Sequence, residues 1–311
     1  MVLNILVGLM LLVLIVLSSG VVVDIFERYV FRLPIKKNKV TAILIGFSLA
    51  LPELFVGIAA ALDGKPQIAL GTVVGANMAN LSLIIGGLAV ITVAIPIVGE
   101  YLKKDLWVTI LLALMPFLML LDGTISKLEG GVLVALYFVY VFFLSNEKVT
   151  IKQSRKKLSG FENWGLPIML ILGLVIMAVS SWQLVQIVVT IAAVWGVSWF
   201  WMGLLLVAFG TTLPELLLLS FSGKKHKASL ALPNLLGSVV MNSTVILGIA
   251  ALITPIIIKE SVQRGLSGMF LVFILGLFWL FTKSKHKLER WEGVVLIGVY
   301  LMFIGLQLIL A

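Results

Sequence analysis

Leu49-Ala50-Leu51-Pro52-Glu53 returns 162 residues later as Thr211-Thr212-Leu213-Pro214-Glu215, which places one proline–carboxylate pair inside each of two hydrophobic stretches. The same offset holds without a gap from Ser18 to Gly86: Ser18-Ser19 answers Ser180-Ser181, Gly75 answers Gly237, Asn80 answers Asn242 and Gly86 answers Gly248. Further on the register slips by one residue, and Glu129-Gly130 and Tyr137 answer Glu292-Gly293 and Tyr300. Self-similarity at a fixed offset over this length marks an internal duplication.

Composition says where the two halves live. Hydrophobic residues make up 61% of the 311 and charged residues 12%, with a mean hydropathy of +1.19, against roughly 25% charge in soluble domains. Apolar runs of about the length that crosses a bilayer read at 2–23, 40–62, 67–95, 106–121, 130–145, 165–187, 199–221, 229–256, 265–282 and 293–310. The fourth and fifth are the shortest. The expected fold is an all-α integral membrane protein of ten transmembrane helices. Residues 1–145 form the first five-helix repeat, 146–164 a linker and 165–311 the second repeat. Five crossings per copy force the second copy to start on the opposite side of the membrane, so the repeats are expected to be inverted.

Charge checks the count independently, because cytoplasmic loops collect Lys and Arg. With ten crossings, nineteen of the 23 basic residues fall on one face, and only Lys65, Lys127, Lys259 and Arg264 on the other. Both termini are therefore expected outside and the central loop in the cytoplasm, in a multi-pass protein of the plasma membrane. The net charge of +9 is explained by short cytoplasmic loops against anionic lipid, and nucleic-acid binding is not expected. No basic residue precedes the first apolar stretch, unlike a secretory signal. That stretch takes part in the repeat, so it is expected to stay in the mature protein. With no cysteine, there is no disulfide framework, thiolate metal site or redox switch.

Of the fourteen acids, twelve fall in loops or at segment ends, and only Glu53 and Glu215 fall deep. A carboxylate in hydrocarbon is expensive, so it normally faces a cavity and marks an ion or proton path. A lone protonated glutamate bonded to a neighbouring helix is the bland alternative, and two at equivalent repeat positions, each after proline, weaken it. Proline removes a backbone donor and frees carbonyls to act as ligands. Such breaks are tolerated in lipid only against protein or a cavity, and discontinuous helices near the midplane bind ions in many inverted-repeat transporters. The facing wall is expected from Gly71-Thr72-Val73-Val74-Gly75-Ala76-Asn77-Met78-Ala79-Asn80 and Pro233-Asn234-Leu235-Leu236-Gly237-Ser238-Val239-Val240-Met241-Asn242. Small residues there allow close helix approach, and Asn80 and Asn242 offer neutral oxygens.

These stretches resemble the cation/calcium exchanger superfamily, whose repeats carry G-T-S-L-P-E followed by G-N-x-x-G-S-N-x-x-N/D. The resemblance covers both halves and is closest at Ala208-Phe209-Gly210-Thr211-Thr212-Leu213-Pro214-Glu215. It implies that the second, third, seventh and eighth helices form the ion site, with the first and sixth as a sliding or rocking pair outside it. It makes Glu53 and Glu215 the shared ligands of calcium and its counter-ion, with backbone oxygens near Leu49 and Thr211. Ala50, Ala76, Asn77, Asn80, Thr212, Ser238 and Asn242 line the neighbouring positions. The chain departs from the pattern: Ser48-Leu49-Ala50 replaces Gly-Thr-Ser, Ala76 replaces a serine, Pro233 a glycine, Val239 an asparagine, and Asn242 stands where sodium-coupled members often carry Asp.

The function expected is antiport of Ca²⁺ against Na⁺ or H⁺ by alternating access. Two deep carboxylates resist reorientation when empty, whereas a bound cation or protons neutralise them. Oxygen ligands, with His226 and His286 only in loops, favour hard cations over zinc or copper. No cofactor is expected; the partners are the transported inorganic cations and the lipid bilayer. A cation channel needs a continuous pore instead of a midplane site, and an enzyme needs a nucleophile with its base or a chelating cluster. A non-transporting cation-binding protein differs by binding without flux.

Overall fold

The computed structural model describes residues 1–30, 39–92, 94–96, 101–145, 162–213, 225–258, 261–285 and 287–310, and nearly all of them are helical. Helix is the solution available to an apolar chain whose backbone polar groups must be satisfied without water. In chain order the helices are α1 (Val2–Val30), α2 (Lys39–Leu49), α3 (Leu51–Leu62), α4 (Pro66–Met78), α5 (Ile85–Thr92), α6 (Tyr101–Met119), α7 (Lys127–Ser145) and α8 (Glu162–Trp195). They continue with α9 (Trp199–Leu213), α10 (Lys225–Met241), α11 (Leu247–Ile253), α12 (Ser261–Lys285) and α13 (Arg290–Leu310). Among the described residues six helical rods are long and apolar enough to cross a membrane: Val2–Tyr29, Pro66–Thr92, Gly165–Trp195, Leu232–Ile253, Gly265–Lys283 and Arg290–Ile309. Leu51–Leu62, Leu106–Asp122 and Trp199–Leu213 are shorter apolar helices.

Three features lie beyond a plain reading of apolar runs. The second run is not one helix but breaks at Ala50 between α2 and α3. Two rods pass through π-turns, Ala79–Ile84 between α4 and α5 and Asn242–Ile246 between α10 and α11, and α9 contains a third at Gly203–Val207. Two short antiparallel ladders also join helix ends. In one, β1 (Ala94–Pro96) pairs with β4 (Lys287–Glu289); in the other, β2 (Thr124–Ile125) pairs with β3 (Ile256–Ile257). At the repeat offset β1 corresponds to β3, and β2 to β4, so the same stitch occurs twice.

Helix starts are locally specified. Ser198 caps α9 by accepting from Trp201 N at 3.2 Å. Ser126 and Glu129 form a reciprocal box at the start of α7, with Ser126 N and Oγ each donating to Glu129 Oε2 at 2.8 Å and Glu129 N donating back at 3.3 Å. Each such device satisfies backbone donors that the first helical turn leaves free. At α13 the Glu289 N–H donates to Glu292 Oε2 at 2.8 Å. Glu292 is only 2% exposed, so the carboxylates at segment ends are not all solvated, and this one is accounted for by its cap.

Lipid tails are as apolar as leucine, so close packing of small residues holds helices together here. The Pro66–Thr92 and Leu232–Ile253 rods are each 78% buried along their most apolar window, against 39% for Val2–Tyr29 and 33% for Gly165–Trp195. The first two rods therefore form the centre, while α1 and α8 pack along each other at the periphery. Around the centre, α2 lies on α10, α9 on α4, α13 on α5 and α7 on α11. The last two joints meet at glycine pairs. A Cβ on Gly86 would stand 2.7 Å from the Gly293 carbonyl oxygen, and a Cβ on Gly130 or Gly248 2.8 Å from the other's carbonyl oxygen.

Candidate functional site

The break at Ala50 sets up the first side of the site. Ala50 has φ −83° and ψ 3°, which ends α2, and α3 restarts with Pro52 in its first turn. Pro52 has no N–H to offer the Ser48 carbonyl, four residues before it. Glu53 is therefore carried at a helix N-terminus, where the backbone dipoles favour negative charge. Its side chain is 1% exposed, and neither carboxyl oxygen has a hydrogen-bond partner among the described residues. Leu49 is half-buried and Ala50 fully buried.

Facing it on α9, Thr211 and Thr212 are buried, and both hydroxyls turn back along their own helix. Thr211 donates to the Ala208 carbonyl at 3.3 Å, and Thr212 to the same carbonyl at 2.9 Å. The donors are thereby used, and the hydroxyl oxygens keep lone pairs. The Thr211 hydroxyl stands beside the Glu53 carboxyl without closing a hydrogen bond on it. Pro214 and Glu215 lie outside the described residues.

The π-turns supply the other wall. Such one-residue expansions put a wider, partly unpaired backbone where they occur and are frequent at functional sites. Asn80 lies in the first and Asn242 opens the second, and both are 0% exposed. Ser82 donates to the Met78 carbonyl and Thr244 to the Val240 carbonyl, which are matching bonds at the repeat offset. Neither side-chain atom of Asn80 has a partner, and Asn242 Oδ1 has none, among the described residues. Asn242 Nδ2 donates to Asn77 Oδ1 at 3.0 Å, and Asn77 Nδ2 donates to Ser243 Oγ at 2.8 Å. Ser238 and Ala76 are fully buried, and Ser238 is engaged in a contact of its own.

The second π-turn touches both α3 and α4. Glu53, Asn77, Asn242 and Thr211 thus belong to elements that meet, joined by the Asn77–Asn242 bond and by the Glu53–Thr211 approach. Ser243 was not among the residues singled out in the sequence, though the polar triplet Asn242-Ser243-Thr244 inside an apolar run is a usable signal. Among the described residues no three His, Cys, Asp or Glu side chains converge. The donors are carboxyl, amide, hydroxyl and backbone oxygens, a set suited to hard cations.

Comparison with known proteins agrees with this chemistry. A family model described as sodium/calcium exchanger protein matches residues 3–146 and 165–309. The putative antiporter CaxA of Alkalimonas amylolytica is 27% identical over 277 residues, covering 86% of each chain. Among solved structures, the sodium-calcium exchanger NCX_Mj soaked with 2.5 mM Na⁺ and 1 mM Sr²⁺ superposes with a TM-score of 0.68 at 26% identity, covering 98% of each chain. The H⁺/Ca²⁺ exchanger CAX superposes with a TM-score of 0.75 over 99% of this chain and 86% of its own, a likeness of fold at 14% identity. With both halves matched by one family model, this chain belongs to the sodium/calcium exchanger protein family.

Proposed function

We propose that this protein is a plasma-membrane cation antiporter that exchanges Ca²⁺ against Na⁺ or H⁺ by alternating access. Its site lies near the membrane midplane on Glu53 and Glu215, with Leu49 and Thr211 backbone oxygens and the side chains of Thr212, Ser238, Asn80 and Asn242 around them. The observation that carries this reading is the Glu53 carboxyl, buried to 1% with neither oxygen partnered among the described residues. A charged group in hydrocarbon costs roughly 3 kcal/mol or more, and a cation or proton from solution is what relieves it. The buried oxygens of Asn80 and Asn242, which have no partner among the described residues, support the same reading.

Exchange follows from charge. Loaded with one Ca²⁺, or with protons or sodium ions, two glutamates are neutralised and the site can reorient across an apolar barrier. Empty, they carry uncompensated charge whose burial opposes the same motion. Ten crossings in two inverted repeats fit a midplane site of this kind, and the twice-used ladders and glycine joints support the duplication at the level of packing.

The test is radiolabelled calcium uptake into reconstituted vesicles, with opposed sodium, potassium or proton gradients applied one at a time. Glu53→Gln and Glu215→Gln are each expected to abolish exchange while the protein stays folded and inserted. Near-native uptake by either variant removes that glutamate from the mechanism.

A further inference from the structure

Asn77 reaches from the last turn of α4 to the two residues that open the second π-turn. Its oxygen accepts from Asn242 Nδ2 at 3.0 Å and its nitrogen donates to Ser243 Oγ at 2.8 Å. All three side chains are exposed by 1% or less. The consequence falls on Asn242, whose amide has a donor face and an acceptor face. With the donor held by Asn77, its Oδ1 is turned away from Asn77 and left without a partner among the described residues. Asn80, the repeat partner of Asn242, has neither face held among the described residues. The repeat partner of Asn77 is Val239, which has no polar side-chain atom, so this clamp exists on one side only.

An amide helps a cation site only with its oxygen forward. Turned round, it presents an N–H that bonds a carboxylate and competes with the ion. We infer that Asn77 is a positioning residue: it holds Asn242 with its carbonyl oxygen toward the ion site and does not itself ligate the ion. This rests on the reading of Glu53 and Glu215 as the ion site. The one acceptor atom of Asn77 already holds the Asn242 N–H, which leaves it a single lone pair. Partners that orient a ligand from behind typically change metal affinity by about 10- to 100-fold when removed.

The relay also explains how the same three residues would receive an acid at position 242. The Ser243 hydroxyl both donates and accepts. With a carboxylate at 242, Asn77 turns its Nδ2 toward it and accepts a hydrogen bond from the Ser243 hydroxyl on its oxygen. The carboxylate, however, has no donor face to suppress. Asn77 is therefore needed when residue 242 is Asn and dispensable when it is Asp.

This difference is what separates positioning from packing, because a structural role for Asn77 does not depend on the chemistry of residue 242. The experiment measures Ca²⁺ affinity by titration calorimetry on the purified full chain in detergent, for the native protein, Asn77→Leu, Asn242→Asp, the double variant and Glu53→Gln. Asn77→Leu is expected to weaken calcium binding about 10- to 100-fold in the native background, and by less than about threefold when Asn242→Asp is also present. Asn77→Ala, which leaves space instead of filling it, carries the same comparison if the leucine variant does not fold. Loss of binding in Glu53→Gln, with native affinity in Asn77→Leu or an equal penalty in both backgrounds, overturns the positioning role and leaves the ion site standing. Native affinity in Glu53→Gln overturns the ion site and the positioning role with it.

Discussion

Ala50 and Ala76 are both fully buried beside the site, and both stand where the family pattern carries a serine hydroxyl. Asn242 stands where sodium-coupled members often carry an acid. A sodium ion needs several close oxygens of its own, so two missing serine hydroxyls and one missing charge weaken sodium more than calcium, which on the proposed site leans on Glu53, Glu215 and backbone carbonyls. A proton needs only a carboxylate. Sodium coupling is therefore expected to be weak, and the native protein is expected to exchange calcium under a pH gradient without sodium. Asn242→Asp combined with Ala50→Ser and Ala76→Ser should raise sodium dependence in vesicle flux assays. Steep sodium dependence in the native protein, with a Hill coefficient well above one and no response to pH, would show that these substitutions do not set the coupling ion. At this scale the burial of Glu53 was legible in the sequence, because a duplicated acid inside apolar runs has few explanations. The Asn77–Asn242–Ser243 relay was not, because which side chains meet across two helices depends on their rotation and depth, and spacing along one chain does not encode these.

The apolar rods were legible as elements from run length alone, but their interruptions were only partly so. Pro52 announced a disturbance, and the structure puts it at Ala50, two residues earlier, where the first turn of α3 accommodates proline at no loss. The π-turns at Ala79–Ile84 and Asn242–Ile246 left no such mark, since one extra residue in a turn alters no composition. The ladders are two or three residues long, too short for an alternating pattern. The Ser126-Lys127-Leu128-Glu129 box carries a capping signature, though it was not singled out in the sequence. Glycine spacing suggested close approach, and the joints bear on stability. At Gly293 a Cβ would stand 2.5 Å from the Gly86 carbonyl oxygen and 3.0 Å from Ala89 Cβ, whereas nothing lies within 4 Å of one at Gly298, a turn further along α13. Forcing atoms into such a joint costs about 1–3 kcal/mol. Gly293→Val is therefore expected to lower the thermal midpoint of the purified protein by several degrees, and Gly298→Ala to leave it unchanged. Equal midpoints for both would mean that the α5–α13 joint opens without penalty.

For the whole molecule, the decisive quantity is which helix ends share a face. Under the ten-crossing count, the contacts between helix ends all join ends on the same side. Thr254 Oγ1 donates to the Ala61 carbonyl at 2.8 Å, Gln67 Nε2 to the Ile257 carbonyl at 3.0 Å and Trp201 Nε1 to the Gln307 carbonyl at 3.1 Å. The β2–β3 ladder lies on that same face, and the β1–β4 ladder on the other. Removing one crossing between any two of these partners would separate them by the roughly 30 Å of the hydrocarbon layer, so the contacts support the count independently of charge. On the same count charge gives the expected orientation, because nineteen of the 23 basic residues would fall on one face and such loops collect in the cytoplasm. The chain has no cysteine, so a single introduced thiol reports without background. Ser154→Cys, in the central loop, is expected to resist an impermeant thiol reagent added outside intact cells and to react once the cells are opened. Lys65→Cys and Ala311→Cys are expected to react from outside. The reverse pattern would turn the whole protein over while keeping its repeats inverted. Labelling of Lys65→Cys and Ser154→Cys from the same side would break the count between them, and with it the proposed inversion of the two repeats.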